Sequence, residues 1–200
     1  MVATPPLDER LAGLALPGEA PRILLHCCCA PCSSYVLEYL SPFARITILF
    51  YNPNIIPCEE YDKRAAEIEK LLSGASLQNC VDILPVKYVP ADFKTVAAPY
   101  WDEPEGGLRC RACFELRLGE AAKRAKEHGF KFFATTLSVS PHKDAALLGE
   151  IGAAMAEKHG VQFLHADFKK RGGYKRSVDL SKQYGLYRQS YCGCGISVDS

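Results

Sequence analysis

Between Arg22 and Phe168, five short and mostly apolar runs alternate with segments of helical periodicity, and this alternation constrains the fold more than any other feature of the chain. The runs are Ile23 to His26, Ile46 to Tyr51, Val81 to Tyr88, Phe132 to Leu137 and Val161 to Phe168. Each is short for a helix and reads as a buried strand. After Pro57, a residue suited to a helix start, Tyr61, Ala65, Ile68, Leu71 and Leu72 fall on one helical face. Further helices are expected over 33–40, 111–127, 143–158 and 174–184. Strand, loop and helix repeated in this way predict an α/β fold: an open, mainly parallel five-stranded sheet with flanking helices, binding its ligands at the carboxyl ends of the strands.

Residues 1–20 carry Pro5, Pro6, Gly13, Pro17 and Gly18 without an apolar period, so they are expected to form an N-terminal extension, with 21–200 as a single domain. No apolar run is long enough to span a bilayer, and no basic region followed by a hydrophobic stretch opens the chain. The expectation is a cytoplasmic protein without a membrane partner.

The chemically unusual residues cluster where this fold puts its ligand site. His26-Cys27-Cys28-Cys29-Ala30-Pro31-Cys32-Ser33 lies between the first strand and its helix, where free amides and the helix dipole stabilise thiolates. Neighbouring cysteines cannot easily meet the geometry of a disulfide, and a bunch of free thiols is vulnerable unless a metal holds it. Cys110-Arg111-Ala112-Cys113 is a second cluster, at the start of an expected helix; alone it suits zinc, an iron–sulfur cluster or thiol exchange. Paired with two thiols of the first loop it supplies the four thiolates of a cubane cluster or a zinc ion, and spacing does not choose between them. Tyr191-Cys192-Gly193-Cys194-Gly195 is a third cluster, whose glycines let two sulfurs approach or separate, as a reversible dithiol or a metal chelate.

Cys58 and Cys80 stand alone and read as ordinary thiols, and no catalytic role is assigned to His128, His159 or His165. Ten cysteines without a secretory leader point to metal or redox chemistry rather than to a disulfide framework. The formal net charge of +1 gives no overall pull toward nucleic acid, so any RNA contact must rest on a local patch. Lys169, Lys170, Arg171, Lys175 and Arg176, within eight residues that contain no acid, form the candidate tRNA-binding run.

Taken together, His26-x-Cys28-Cys29-Ala30-Pro31-Cys32-Ser33, Tyr51-Asn52-Pro53-Asn54-Ile55, Glu60-Tyr61-x-x-Arg64, Cys110-x-x-Cys113, Thr135-Thr136-Leu137-Ser138 and Tyr187-Arg188-Gln189-x-Tyr191-Cys192-Gly193-Cys194 resemble the QueH-type epoxyqueuosine reductases over residues 22–197. Cys27 is an extra thiol relative to the family pattern. The resemblance implies a fold related to the adenine nucleotide alpha hydrolases (the HUP group) and reduction of the epoxide of epoxyqueuosine at tRNA position 34 to queuosine. It implies a [4Fe-4S] cluster held by Cys28, Cys29, Cys110 and Cys113, an additional mononuclear iron near Cys32, a redox-active Cys192/Cys194 pair, and no cobalamin. Tyr51, Asn52, Asn54 and Arg64, at the same edge as the cysteine loop, are expected to position the substrate.

The implied chemistry suits these residues. Turning an epoxide into an alkene needs two electrons and protons, a four-iron cluster passes electrons singly, and a dithiol carries two. The source that reduces the protein in turn is an unidentified electron donor. Two other readings stay open on the residues alone. A PP-loop tRNA thiolation enzyme would carry a Ser-Gly-Gly-x-Asp-Ser type loop after the first strand; here thiols and Pro31 replace the glycines that cradle phosphate. A zinc-stabilised RNA-binding module would hold zinc without iron or sulfide.

Overall fold

The computed structural model describes residues 20–195. The expected N-terminal extension therefore lies almost wholly outside the described residues. Five strands, β1 (Arg22–His26), β2 (Arg45–Leu49), β3 (Val81–Leu84), β4 (Phe132–Thr135) and β5 (Gln162–Phe163), form one sheet in the order β3-β2-β1-β4-β5. All four pairings are parallel, with Ile23 opposite both Ile46 and Phe132. The open parallel sheet with flanking helices is the α/β architecture expected from the alternation of apolar runs.

Because side chains alternate across a strand, consecutive apolar residues feed opposite cores. Ile23, Leu25, Ile46, Ile48, Phe132 and Ala134 join Val36, Leu37, Leu40, Ile68 and Leu71 on one face. That face is covered by α1 (Ala30–Leu40) and α2 (Cys58–Gly74). Leu24, Leu49 and Phe133 meet Ala121, Ala122 and Ala125 on the other, beneath α4 (Leu108–Glu127). The small alanines let α4 lie close to the sheet. α3 (Pro90–Ala97) and α5 (Ala145–His159) pack beside α4, and α6 (Gly173–Gln183) packs on α1.

Several element bounds differ from those read off the sequence. β3 stops at Leu84 because Pro85 offers no amide to the ladder. β2 ends at Leu49, and beyond Phe163 the expected fifth strand keeps only a single ladder bond, from the Leu164 amide to the Phe133 carbonyl at 2.8 Å. α4 begins at Leu108, three residues before the expected start, and α1 at Ala30. α3 has no counterpart among the expected helices; its eight residues are too few to display a helical period. α5 has the local chemistry of a helix with defined ends: Asp144 accepts from the Ala146 and Leu147 amides, and Gly160 closes it at φ +67°.

Chain order steps outward from β1 to β2 and β3, then jumps back to β4 on the other side of β1. The crevice of an open α/β sheet lies at such a reversal, outside the carboxyl ends of β1 and β4. His26 and Thr135 are the last residues of those strands, and the Thr136 amide bonds the His26 carbonyl at 3.0 Å.

Candidate functional site

The cysteine loop occupies this crevice. β1 ends at His26, and α1 begins four residues later with Cys29 as its extended N-cap, so the intervening thiols sit in front of the free amides of a helix start. The Cys28 amide donates to Thr136 Oγ1 at 3.1 Å, and that hydroxyl lies 3.4 Å from Cys28 Sγ, pinning the loop to the end of β4. The sulfurs of Cys28, Cys29 and Cys32 lie within 4.8 Å of one another. The three share their protons: hydrogen bonds from Cys29 and Cys32, aided by Arg117, hold Cys28 well below the usual thiol range, while Cys29 and Cys32 are pushed up. Cys27, the extra thiol, points into the core and burial raises it. It stands apart from the triad.

The second motif reaches the same place from α4. Cys110 lies in the first turn, accepts from the Gly106 amide at 3.2 Å, and packs in the apolar group that Cys28 also touches. Cys113 is one turn further along the same face, buried, with its thiol pushed up chiefly by burial. The third motif closes over it. Cys194 packs on the group containing Phe93, Ala97 and Cys113, and Cys192 is close enough to act electrostatically on Cys113. The Cys192–Gly195 turn is docked on the loop after β2 through the Ile56 amide and the Gly193 carbonyl at 2.9 Å. A Cβ on Gly193 would stand 2.8 Å from Ile55 Cγ1 and 3.2 Å from its Cα, so glycine is needed there for this close approach. Cys58 and Cys80 are exposed and distinct from this group.

Three charged residues that the sequence reading did not single out complete the site. Arg117, only 4% exposed, reaches Cys113 Sγ at 3.9 Å, His26 Nε2 at 3.3 Å and Asn52 Oδ1 at 2.5 Å. Its position four residues after Cys113, hence on the same helix face, is the signal that could have found it. Lys143 is largely buried, pairs with Glu105 at 2.7 Å, and stands beside Cys192 and Cys110. It also lines a cleft of about 580 Å³ with His142, His165, Asp167 and Lys169. Lys143 and Glu105 lie on loops in the structure and belong to none of the sequence motifs, so no sequence signal marked them.

The expected substrate residues are placed differently from one another. Tyr51 donates to Asp92 at 2.8 Å, and Asn52 is buried, donating to the Cys27 carbonyl at 2.8 Å. Arg64 pairs with Glu60 at 2.7 Å, its guanidinium 5.4 Å from the centre of the Tyr191 ring. Asn54 Oδ1 and Arg64 Nη2 are buried without a hydrogen-bond partner among the described residues, and Asn54 lies against Gly193. His26 is fully buried; burial, then Arg117, lowers it to about 3, so it is neutral. Its Nδ1 lies 2.9 Å from Thr135 Oγ1, and its Nε2 lies 3.3 Å from Arg117 Nε and 3.2 Å from the Tyr51 carbonyl oxygen.

The basic run is less bare than its sequence suggests. Asp167 lies 3.6 Å from both Lys169 and Lys170, and Glu38 of α1 grips Arg176 with two bonds of 2.8 and 2.5 Å. Arg171 and Lys175 make no ion pair among the described residues.

Cys192 has the environment of a reactive thiol. The Cys194 thiol hydrogen-bonds it and Lys143 adds a positive charge, which together outweigh burial and hold it well below the usual thiol range. A reduced protein is therefore expected to be alkylated at Cys192 at a rate already on its plateau at pH 7, with no rise through the ordinary thiol value of about 8.5. Lys143→Met should restore part of that rise. Peptide mass mapping of iodoacetamide-treated protein across a pH series checks both, and a wild-type rate that climbs through pH 8 to 9 would contradict this reading of Lys143 and Cys194.

The family model described as epoxyqueuosine reductase QueH matches residues 23–200. Among curated proteins, the epoxyqueuosine reductase QueH of Streptococcus pyogenes is 45% identical over 176 residues, covering 87% of this chain and 69% of that protein. The protein of the same name from Staphylococcus epidermidis is 45% identical over 185 residues, covering 88% and 76%. That of Thermotoga maritima is 36% identical over 179 residues, covering 88% and 90%.

Proposed function

Since this chain belongs to the QueH family of epoxyqueuosine reductases, we propose that it reduces the epoxide of epoxyqueuosine at position 34 of tRNA to give queuosine, using the three cysteine motifs as one site. The chain is an oxidoreductase of queuosine biosynthesis. The observation that supports the mechanism best is convergence: three motifs distant in sequence meet at the crevice between β1 and β4, with a buried cation beside them.

The donor set fits an iron–sulfur centre. Cys28 and Cys29 offer adjacent sulfurs at a helix start, Cys110 belongs to the apolar group on which Cys28 packs, and Cys113 lies one turn away on the same helix. These four would hold a [4Fe-4S] cluster, and Cys32, the third thiol of the triad, would serve an additional mononuclear iron. When bound, the cluster supplies single-electron transfer and the iron a Lewis acid for the epoxide oxygen. Cobalamin has no part in this reading.

The remaining chemistry falls to the chain's own side chains. Oxidation of the Cys192 and Cys194 thiols to a disulfide releases two electrons and two protons, which balances removal of the epoxide oxygen as water and formation of the alkene. An electron donor, not identified by these residues, then returns the disulfide to the dithiol. Lys143 keeps a positive charge against Cys192. Asn54 and Arg64, each with a buried polar atom that lacks a partner among the described residues, would take hydrogen bonds from or to the diol; Tyr51 and Asn52 would hold that wall in place.

Lys169, Lys170, Arg171, Lys175 and Arg176 flank the cleft beside Lys143 or follow it on α6, and we assign them to the tRNA backbone. Arg171 and Lys175 should dominate, because Asp167 and Glu38 already engage the other three. Neutralising both to Gln is expected to weaken tRNA binding and lower the slope of log K against log salt by about 1 for each phosphate left without a cation. Unchanged affinity and slope, with the fold intact, would place the tRNA on another face.

The activity itself is tested by incubating anaerobically purified and reconstituted protein with epoxyqueuosine-containing tRNA and a reductant, then digesting the tRNA for nucleoside mass spectrometry. Conversion to queuosine is expected. Loaded protein that leaves the epoxide untouched would refute the proposed function, and zinc without iron or sulfide would favour an RNA-binding module.

A further inference from the structure

A buried charge needs an opposite charge, because leaving one unpaired in the interior forfeits its hydration without compensation. Among the described residues, Arg64 meets this requirement with Glu60, and Arg109 spends one nitrogen on the carbonyls of Trp101 and Glu103. Arg117 does neither. Its guanidinium makes no ion pair with a carboxylate among the described residues, and two of its three partners bear no negative charge: the Asn52 amide oxygen and the His26 imidazole. The third is the Cys113 sulfur. Arginine does not lose its proton in proteins, so its charge stands whatever surrounds it.

The same side chain ties the site's walls together. Through His26 it holds the end of β1, from which the cysteine loop leaves. Through Asn52, which itself binds the Cys27 carbonyl, it holds that loop a second time; through Cys113 it touches the other motif. One cation is thus buried where both pairs of proposed cluster ligands meet.

We propose that Arg117 is a positioning residue that serves as the fixed counter-charge of the iron–sulfur centre and raises its reduction potential. The inference rests on the cluster reading above. Four thiolates around a cluster carry net negative charge that grows by one on reduction, and a permanent cation within hydrogen-bond reach of a ligand sulfur stabilises the more negative state. Low exposure leaves little solvent to screen it. A merely structural arginine would affect loading or stability but not the potential of a cluster that had loaded.

The test is an anaerobic redox titration followed by EPR, with iron and acid-labile sulfide measured on the same samples, for wild type, Arg117→Met and Arg117→Lys. The expected result is a more negative midpoint for the loaded Met protein and a value nearer wild type for Lys, which keeps the charge but not the fork. Met protein with wild-type iron, sulfide and midpoint would overturn the proposal. If the Met variant loads no iron, the Lys variant decides: loading with a near-wild-type midpoint supports the charge, and failure to load overturns it in favour of guanidinium geometry. Wild-type protein that takes up no iron or sulfide would instead sink the cluster reading itself, an outcome distinct from all of these.

Discussion

Serine at Cys28, Cys29, Cys110 or Cys113 is expected to strip the protein of most of its iron and acid-labile sulfide when it is purified and reconstituted anaerobically. The effect should be large because, among the described residues, the histidine and the carboxylate beside these thiols are already engaged. His26 is committed to Thr135 and Arg117, and Glu105 to Lys143. Serine oxygen is a poorer partner for iron than thiolate. Loss should be greatest at Cys110 and Cys28, which meet the same apolar group from different elements and so join the two halves of the donor set. Cys32→Ser is expected to keep the cluster and to lower only the additional iron. Since Cys29 and Cys32 both lie within 4.8 Å of Cys28, this comparison is informative: loss of cluster in Cys32→Ser with retention in Cys29→Ser would exchange their roles. Full cluster content in all four serine variants would end the assignment. Cys27→Ser should leave iron unchanged, because that side chain belongs to the core beneath α1.

Cys192→Ser and Cys194→Ser should retain the cluster yet abolish multiple turnover, the second large effect. Both thiols lie on a turn whose seating depends on backbone contacts of Gly193 with Ile55 and Ile56, so a sulfur-to-oxygen change leaves the fold intact. What it removes is the two-electron couple. A ring closed across Cys-x-Cys is compact, and in a protein that must cycle, a readily reducible bond is an advantage. Mass spectrometry of oxidised wild-type protein should find Cys192 linked to Cys194. Full turnover in either variant would remove the pair from the mechanism; loss of iron in both would make them ligands.

The architecture was legible because it rests on period. Ile23, Leu24 and Leu25 are apolar on both faces, as only a strand sandwiched between helix layers requires, and the structure sends them alternately into the two cores. Strand ends were less legible: Val86 and Tyr88 are as apolar as the residues before them, but Pro85 breaks the ladder, and hydrophobicity does not encode a missing amide. α3 escaped notice for want of length. At the site, cysteines announce themselves by type and spacing, so the three motifs could be read in advance, and the structure brings them together. Lys143 and Glu105 could not be read that way, and Arg117 only through its spacing of four from Cys113. A single arginine or lysine looks like ordinary surface until the fold buries it, and the information lies in the absence of a carboxylate beside Arg117 among the described residues and in the presence of Cys192 beside Lys143. Asp167 and Glu38 likewise entered the basic run through space rather than through sequence.

The central claim is that this site reduces an epoxide with electrons from its own dithiol, and a single-turnover balance measures it most directly. Fully reduced, iron-loaded protein is freed of external reductant under anaerobic conditions and mixed with excess epoxyqueuosine-containing tRNA. Queuosine and the Cys192–Cys194 disulfide are then quantified in the same quenched samples. The account predicts that the two rise together, in equal amounts and at equal rates, and stop at about one equivalent per chain, as the two-electron stoichiometry of a dithiol requires. Queuosine formed while both thiols stay reduced, or a disulfide formed without queuosine, would contradict it.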